Sequence, residues 1–175
     1  MVYPVNPFKE YIETLQGAHI ESEFLKFKKS FDAFNRIIIL GNGGSNSVAS
    51  HISQDYMKFH NKKVSVFSDP SMLTMMVNDF GYENAYMKYL EYHVEKDTLV
   101  ILISSSGESE NIMKCQKYCE DNEIAYGVLT GFNQNNRLRT RSKMHCGITI
   151  LIVKTMVLLN AYTKFFFTEL YEVLF

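Results

Sequence analysis

A chain of 175 residues and 20.3 kDa fits one α/β domain, and with 46% hydrophobic and 21% charged residues it can bury a core without disulfides or a structural metal. A formal net charge of −1 and a pI of about 6.5 leave no strong pull toward nucleic acid or an anionic membrane. Cys115, Cys119 and Cys146 form neither a disulfide framework nor a paired CxxC motif, which predicts reduced cytoplasmic thiols. Residues 1–6 lack the charged-then-apolar pattern of a secretory signal. The apolar stretch 147–159 is interrupted by Lys154 and falls short of the roughly 20 residues of a spanning helix.

In chain order, residues 7–34 have the periodicity of a helical leader, with Phe8, Tyr11, Ile12, Leu15, Ile20, Phe24, Leu25 and Phe27 at helical spacings. The leader suits packing on its own domain and packing on a partner subunit equally well. Residues 36–40 (RIIIL) are a buried parallel strand that ends in the glycine turn GNGGS at 41–45. A helix follows over 45–59, with Ser45 or Ser47 as N-cap. Residues 63–67 form a second strand, 71–77 a short helix, 78–81 its exit loop, and 82–94 an amphipathic helix. The run TLVILI at 98–103 is the strongest strand signal. It opens into SSSG at 104–107, a helix over 109–121 and a strand over 124–129. The repeating strand–turn–helix order predicts a doubly wound parallel sheet. Residues 133–143 are polar and basic, with Arg137, Arg139, Arg141 and Lys143 at alternate positions. They predict a solvated strand edge or loop, with a phosphate-binding patch as the second reading.

Four elements carry chemistry. The loop IIILGNGGSNS lets backbone amides approach an anion at a helix start, with Ser45 adding a hydroxyl. It is neither a Walker A loop nor GxGxxG, because Asn46 stands where the third glycine belongs. The loop ISSSGESEN places Ser104, Ser106 and Ser109 near a second helix start. Each loop alone also fits an ordinary turn or cap. Together, at the C-terminal ends of strands in one parallel sheet, they can converge on one small phosphorylated ligand. His51 and Asp55, spaced i,i+4, share one helix face and suit either a proton relay or a metal, or else an ordinary surface pair. Asn78 and Asp79 suit hydrogen bonding to sugar hydroxyls, or a plain turn.

Taken together, GNGGS at 41–45, His51 with Asp55, SDPSMLT at 68–74, NDFGYE at 78–83 and SSSGES at 104–109 resemble the SIS (sugar isomerase) domain, and more narrowly the phosphoheptose isomerases. The resemblance covers roughly residues 11–132. It implies a single SIS domain over 1–175: a leader at 1–34, a core at 35–132 and a divergent part at 133–175. The implied fold is a flavodoxin-like, five-stranded parallel sheet flanked by helices, assembled as a homotetramer with sites between subunits. The implied reaction converts sedoheptulose 7-phosphate to D-glycero-D-manno-heptose 7-phosphate, a lipopolysaccharide precursor. By the same resemblance Asn42, Gly43, Gly44 and Ser45 touch substrate, Ser104, Ser105, Ser106 and Ser109 cradle its phosphate, and Asn78 and Asp79 contact the sugar chain. Asp55 stands where the family has a Glu base, and His51 with Asp55 matches residues that bind zinc in some members.

The chain departs from the family at its C-terminus. The family has a further Gln or Glu and then a His on its last helix, whereas residues 153–175 contain no histidine. Codons for 153–163 can be chosen that, read one base earlier, spell SKNYGIVECIH, which restores a Glu and a His. That predicts a frame-shifted stretch from about Arg139 to Tyr162, testable in the coding DNA. Made as written, the chain keeps the phosphate cradle and half the catalytic set, which predicts weak or absent turnover. A non-catalytic phosphosugar-binding module that regulates a partner is the alternative reading. A nucleotide-binding flavodoxin-like domain lacks the expected loops.

Overall fold

The structure, a computed structural model, describes residues 21–131, 133, 135–142 and 147–149 together with Lys9 and Glu13. Its elements are α1 (Glu21–Ala33), β1 (Arg36–Gly41), α2 (Gly44–His60), β2 (Lys63–Val66), α3 (Pro70–Phe80), α4 (Tyr82–His93), β3 (Thr98–Ser104), α5 (Glu110–Asp121), β4 (Tyr126–Thr130), α6 (Arg137–Thr140) and β5 (Gly147–Thr149). The strands form one parallel five-stranded sheet in the order β2-β1-β3-β4-β5. This is the doubly wound α/β fold that the strand–turn–helix repeat predicts.

Continuous apolar strands arise because both faces of the sheet are covered. Side chains alternate along a strand, so Ile37 and Ile39 of β1 join Phe27, Phe31, Ala49, Ile52 and Tyr56 under α1 and α2. Ile38 and Leu40 point the other way, to Met76, Tyr86, Leu90 and Ile112 under α3, α4 and α5. Every residue of β3 is buried, as a central strand requires. The described part of the leader packs on its own domain: Phe27 and Phe31 are core residues, while Leu25 stays 63% exposed.

Three local readings change. Asn78 and Asp79 lie in the last turn of α3, not in an exit loop, because Met72, Met76, Val77 and Phe80 keep a helical apolar stripe in contact with the core up to Gly81. The turn falls at Gly81, where φ is 79°. Within the described residues of 133–143, where the sequence predicts a strand edge or loop, loop flanks a short helix, α6, and there is no strand edge. Leu138 is fully buried there and Asn136 caps the helix through its side chain. The cap of α2 is Gly43, with φ 52°, and neither Ser45 nor Ser47 fills that place; Ser45 is buried inside the first turn. Among the described residues no helix is long and apolar enough to cross a membrane. Of the divergent part 133–175, residues 150–175, which hold the last-helix reading and about half of the frame-shift reading, lie outside the described residues.

Candidate active site

The order β2-β1-β3 puts the topological switch point between β1 and β3, where ligands bind in folds of this kind. Gly41 pairs with Ile103 across these strands, so the glycine turn and the serine turn leave the sheet side by side. A side chain at Gly41 would meet Ser45 Cβ at 2.8 Å and the Ile103 carbonyl oxygen at 3.2 Å, so the turn closes only with glycine there. Tyr86 Oη donates to the Gly41 carbonyl at 3.1 Å from below. Burial pushes this phenol up to about 12, with Tyr82 and Cys115 adding to the effect, so it remains a donor at neutral pH.

A half-buried amide pair bridges the two turns. Asn42 Nδ2 donates to Asn111 Oδ1 at 3.0 Å, and Asn111 Nδ2 donates back to Asn42 Oδ1 at 2.9 Å. The Ile112 N–H also donates to Asn111 Oδ1, at 3.0 Å. A backbone amide can only donate, so this bond fixes which end of the Asn111 amide is oxygen and, through it, the orientation of Asn42. Tyr82 Oη, at the first residue of α4, donates to the same Asn42 oxygen at 3.1 Å. Asn42 is left with one N–H for a ligand oxygen.

The serine turn has the geometry of an anion cradle. Gly107 sits at φ 68° and folds the chain back so that its N–H donates to Ser104 Oγ at 3.1 Å. Ser104 and Ser109 hydroxyls lie 3.3 Å apart. Ser106 is exposed and accepts the Glu108 N–H at 3.1 Å. Ser105 is 6% exposed, and its hydroxyl has no hydrogen-bond partner. A buried unsatisfied hydroxyl costs roughly 1–3 kcal/mol, so an orphan inside such a turn is where a ligand oxygen belongs. Ser109 precedes α5, which starts without a side-chain cap, as does α2.

His51 and Asp55 do share a helix face, with Nε2 and Oδ2 3.7 Å apart and side chains 56% and 45% exposed. That face opens on the β2 side. His51 lines an open cleft of about 380 Å³ with Asn46, Ser47, Ser50, Gln54 and Ser68. Asn46 spans its floor, its Nδ2 donating to the Phe67 carbonyl at 3.2 Å and to Ser68 Oγ at 2.9 Å, while its Oδ1 is buried without a partner. Asn78 and Asp79 are exposed on α3, and their side chains bond each other at 2.8 Å. One chain therefore gathers Asn42, Gly43, Gly44, Ser45, Ser104, Ser105, Ser106 and Ser109 at the switch point, and holds His51 and Asp55 on the solvent side of α2.

Zinc needs three or four protein ligands. His51 and Asp55 supply two such ligands, and among the described residues no group of three His, Cys, Asp or Glu side chains could hold a metal. Cys115 and Cys119 are free and buried, and burial pushes both thiols up, Cys119 to about 12, so they are inert packing groups.

The site contains residues that the sequence motifs did not single out: Asn46, Ser68, Tyr82, Tyr86, Asn111 and Asn136. Asn136 Nδ2 donates to Thr130 Oγ1 at 3.0 Å, and its oxygen occupies the space a Gly107 side chain would need, 2.1 Å from an ideal Cβ. Asn46, Ser68, Tyr82 and Asn111 stand inside quoted motifs, yet nothing local signals their long-range bonds.

Known proteins resemble this chain in sequence and in fold. No family model matches the chain. The phosphoheptose isomerase 2 of Campylobacter jejuni is 32% identical over 118 residues, 64% of this chain and 59% of that protein. The phosphoheptose isomerase of Buchnera aphidicola is 30% identical over 149 residues, 79% of this chain and 74% of that protein. The match thus spans from less than two thirds to about three quarters of these relatives' lengths. In three dimensions a phosphoheptose isomerase from Neisseria gonorrhoeae superposes with a TM-score of 0.83 at 19% identity, over 95% of this chain and 93% of that one. With the flavodoxin-like sheet and both turns in place, these similarities make the chain a member of the SIS-domain phosphoheptose isomerase family.

Proposed function

We propose that the chain is an aldose–ketose isomerase acting on a sugar phosphate, with sedoheptulose 7-phosphate to D-glycero-D-manno-heptose 7-phosphate as its reaction, in the cytoplasm. What carries the reading is the pairing of the two turns through Asn42 and Asn111, with the unsatisfied Ser105 hydroxyl inside the second. Ser104, Ser105, Ser106 and Ser109 bind the phosphate. Asn42 and the Gly43–Gly44–Ser45 turn donate to oxygens of the sugar chain, while Asn78 and Asp79 meet its hydroxyls. Asn46 Oδ1, an orphan acceptor, suits a further hydroxyl donor.

Isomerisation moves one proton between adjacent carbons through an enediol, while a second proton passes between the two oxygens. Asp55 is the carbon base, and His51, 3.7 Å away, orients it and exchanges its proton. The phosphate, far from the reacting end, fixes the pose. Asp55 is one methylene shorter than a Glu, and a 1 Å misplacement of a base costs about 10²-fold. The exposed His51–Asp55 face reaches substrate when a second copy of the chain packs on α2, so the working form is a homo-oligomer, a tetramer by family resemblance.

The test is turnover of sedoheptulose 7-phosphate by the full chain, with and without added zinc, beside Asp55→Asn. The expected result is slow turnover that Asp55→Asn abolishes, at unchanged phosphate affinity. Tight substrate binding without turnover, indifferent to Asp55→Asn, establishes the regulatory binding module instead.

A further inference from the structure

The serine turn of this chain carries two carboxylates. Glu108 and Glu110 flank Ser109, and Glu110 stands in the first turn of α5. At that place a carboxylate repels a phosphate dianion and competes with it for the partial positive charge of the helix start. Consecutive Cα atoms are 3.80 Å apart, so both groups lie within about one Debye length of the turn at 0.1 M salt. A phosphate cradle built this way needs a counterweight.

The basic run at 137–143 supplies it, though not by reaching for the ligand. Arg137 Nη1 donates to Glu110 Oε1 at 2.7 Å, its Nε lies 3.8 Å from Glu108 Oε2, and its backbone N–H donates to Glu108 Oε1 at 2.9 Å. One guanidinium thus engages both carboxylates. Its position is fixed because α6 is docked on the turn: the Leu138 N–H donates to the Gly107 carbonyl at 2.9 Å, and Leu138 is fully buried. The Arg137 hydrogen bond and charge hold the Glu110 carboxyl below its usual range, with weaker help from Arg141 and Lys114.

We propose that Arg137 is a positioning residue of the phosphate turn, neutralising Glu108 and Glu110 and drawing their carboxylates onto α6 so that the turn accepts a phosphorylated ligand. This rests on the sugar-phosphate reading above. It also gives the alternating basic run a function: its first member acts on phosphate through two glutamates. A merely structural ion pair at this exposure would contribute little to folding, but two carboxylates released beside a dianion weaken its binding roughly three- to fivefold.

The experiment titrates inorganic phosphate into the full-length chain by calorimetry at low salt. Saturable binding by the wild type is expected. Arg137→Met should bind roughly three- to fivefold more weakly, with the deficit closing at about 0.5 M salt, and Arg137→Lys, which keeps the charge, should stay close to wild type. The Glu108→Gln/Glu110→Gln double variant should bind more tightly than wild type, and adding Arg137→Met to it should cost clearly less than the same change costs the wild type. This arm does not depend on how well Arg137→Met alone folds. A loss that persists at high salt or is as large in the double-Gln background as in the wild type, wild-type affinity in Arg137→Met, or no gain in the double-Gln variant overturns the proposal. No saturable phosphate binding by the wild type overturns the sugar-phosphate reading itself and this proposal with it, which separates the two failures.

Discussion

The starts of α2 to α6 fall into two groups. α3 begins on Asp69, whose carboxylate accepts the Met72 N–H at 2.7 Å with Pro70 next in the chain, and α6 begins on Asn136, whose side chain accepts the Arg139 N–H at 3.0 Å. α2, α4 and α5 begin on Gly43, Gly81 and Ser109, and none has a side-chain cap bond. A cap typically stabilises by ~1 kcal/mol. The three starts that forgo it meet at one residue, because Asn42 precedes α2 and bonds Tyr82 of α4 and Asn111 of α5. Side-chain caps close the starts of α3 and α6; the three starts without one gather around a single amide, which on the proposed reading is where the ligand binds.

Gly107 offers the hardest break in this pattern, since the serine turn holds its shape through that residue. An alanine there is strained at φ 68° and overlaps the Asn136 side chain. Gly107→Ala should destabilise by roughly 2–4 kcal/mol and abolish phosphate binding. Gly43→Ala, at φ 52° but with open space around its would-be side chain, should cost only about 1 kcal/mol. Urea unfolding of the two variants reads the difference; equal costs would mean that α6 does not pin the turn.

Asn111 comes next. Asn111→Leu removes two bonds to Asn42 and the one from the Ile112 N–H in a site 2% exposed. A loss of roughly 2 kcal/mol is expected, together with a raised KM, because the Asn42 amide is no longer held in one orientation. An unchanged KM would show that Asn42 orientation does not matter to substrate.

How far the sequence foretold this site depends on the range of each contact. β1 and β3 were readable because IIIL and TLVILI are buried on both faces and end in glycine or serine turns, and the convergence of those turns follows from parallel topology. The His51–Asp55 pair was readable because i,i+4 spacing is a local property. The amide pair was not, since it joins residues 69 positions apart, and neither was the use of Asn136 to fill the space beside Gly107. Asn78 and Asp79 carry a turn signal that the apolar stripe of α3 overrides. The position of His51 and Asp55 on the β2 flank, away from the serine turn, follows from the winding of α2 against β1 and not from their spacing.

A smaller effect is a fall in stability at alkaline pH, to which the α4–α5 layer beneath the turns contributes through its thiols and a phenol. Cys119 and Tyr86 each titrate near 12 in the folded state, and Cys115 is raised as well, in each case chiefly by burial. Unfolded thiols titrate near 8.5 and phenols near 10. The folded state therefore binds more protons between these values, and stability falls as pH rises. It should be fully present below about pH 8 and decline from about pH 8 to 12, by roughly 1–2 kcal/mol for Cys119 at pH 10. Cys119→Ala should flatten the slope of the unfolding midpoint against pH. A slope indifferent to that change would mean the thiol is not sequestered.

The smallest expected effect tests the other side of the contrast. Asp69 lies in the SDPSMLT stretch that resembles the family, yet its carboxylate is engaged in closing α3. Asp69→Ala should lower stability by ~1 kcal/mol, the usual worth of an N-cap, and leave phosphate affinity at the wild-type value. The Met72 N–H would then turn to water, and nothing at Asn42, Asn111 or Gly107 would move. If Asp69→Ala instead weakens phosphate binding as much as Asn111→Leu does, then a capped start is also part of the ligand site, and the division of helix starts into closed and ligand-facing fails.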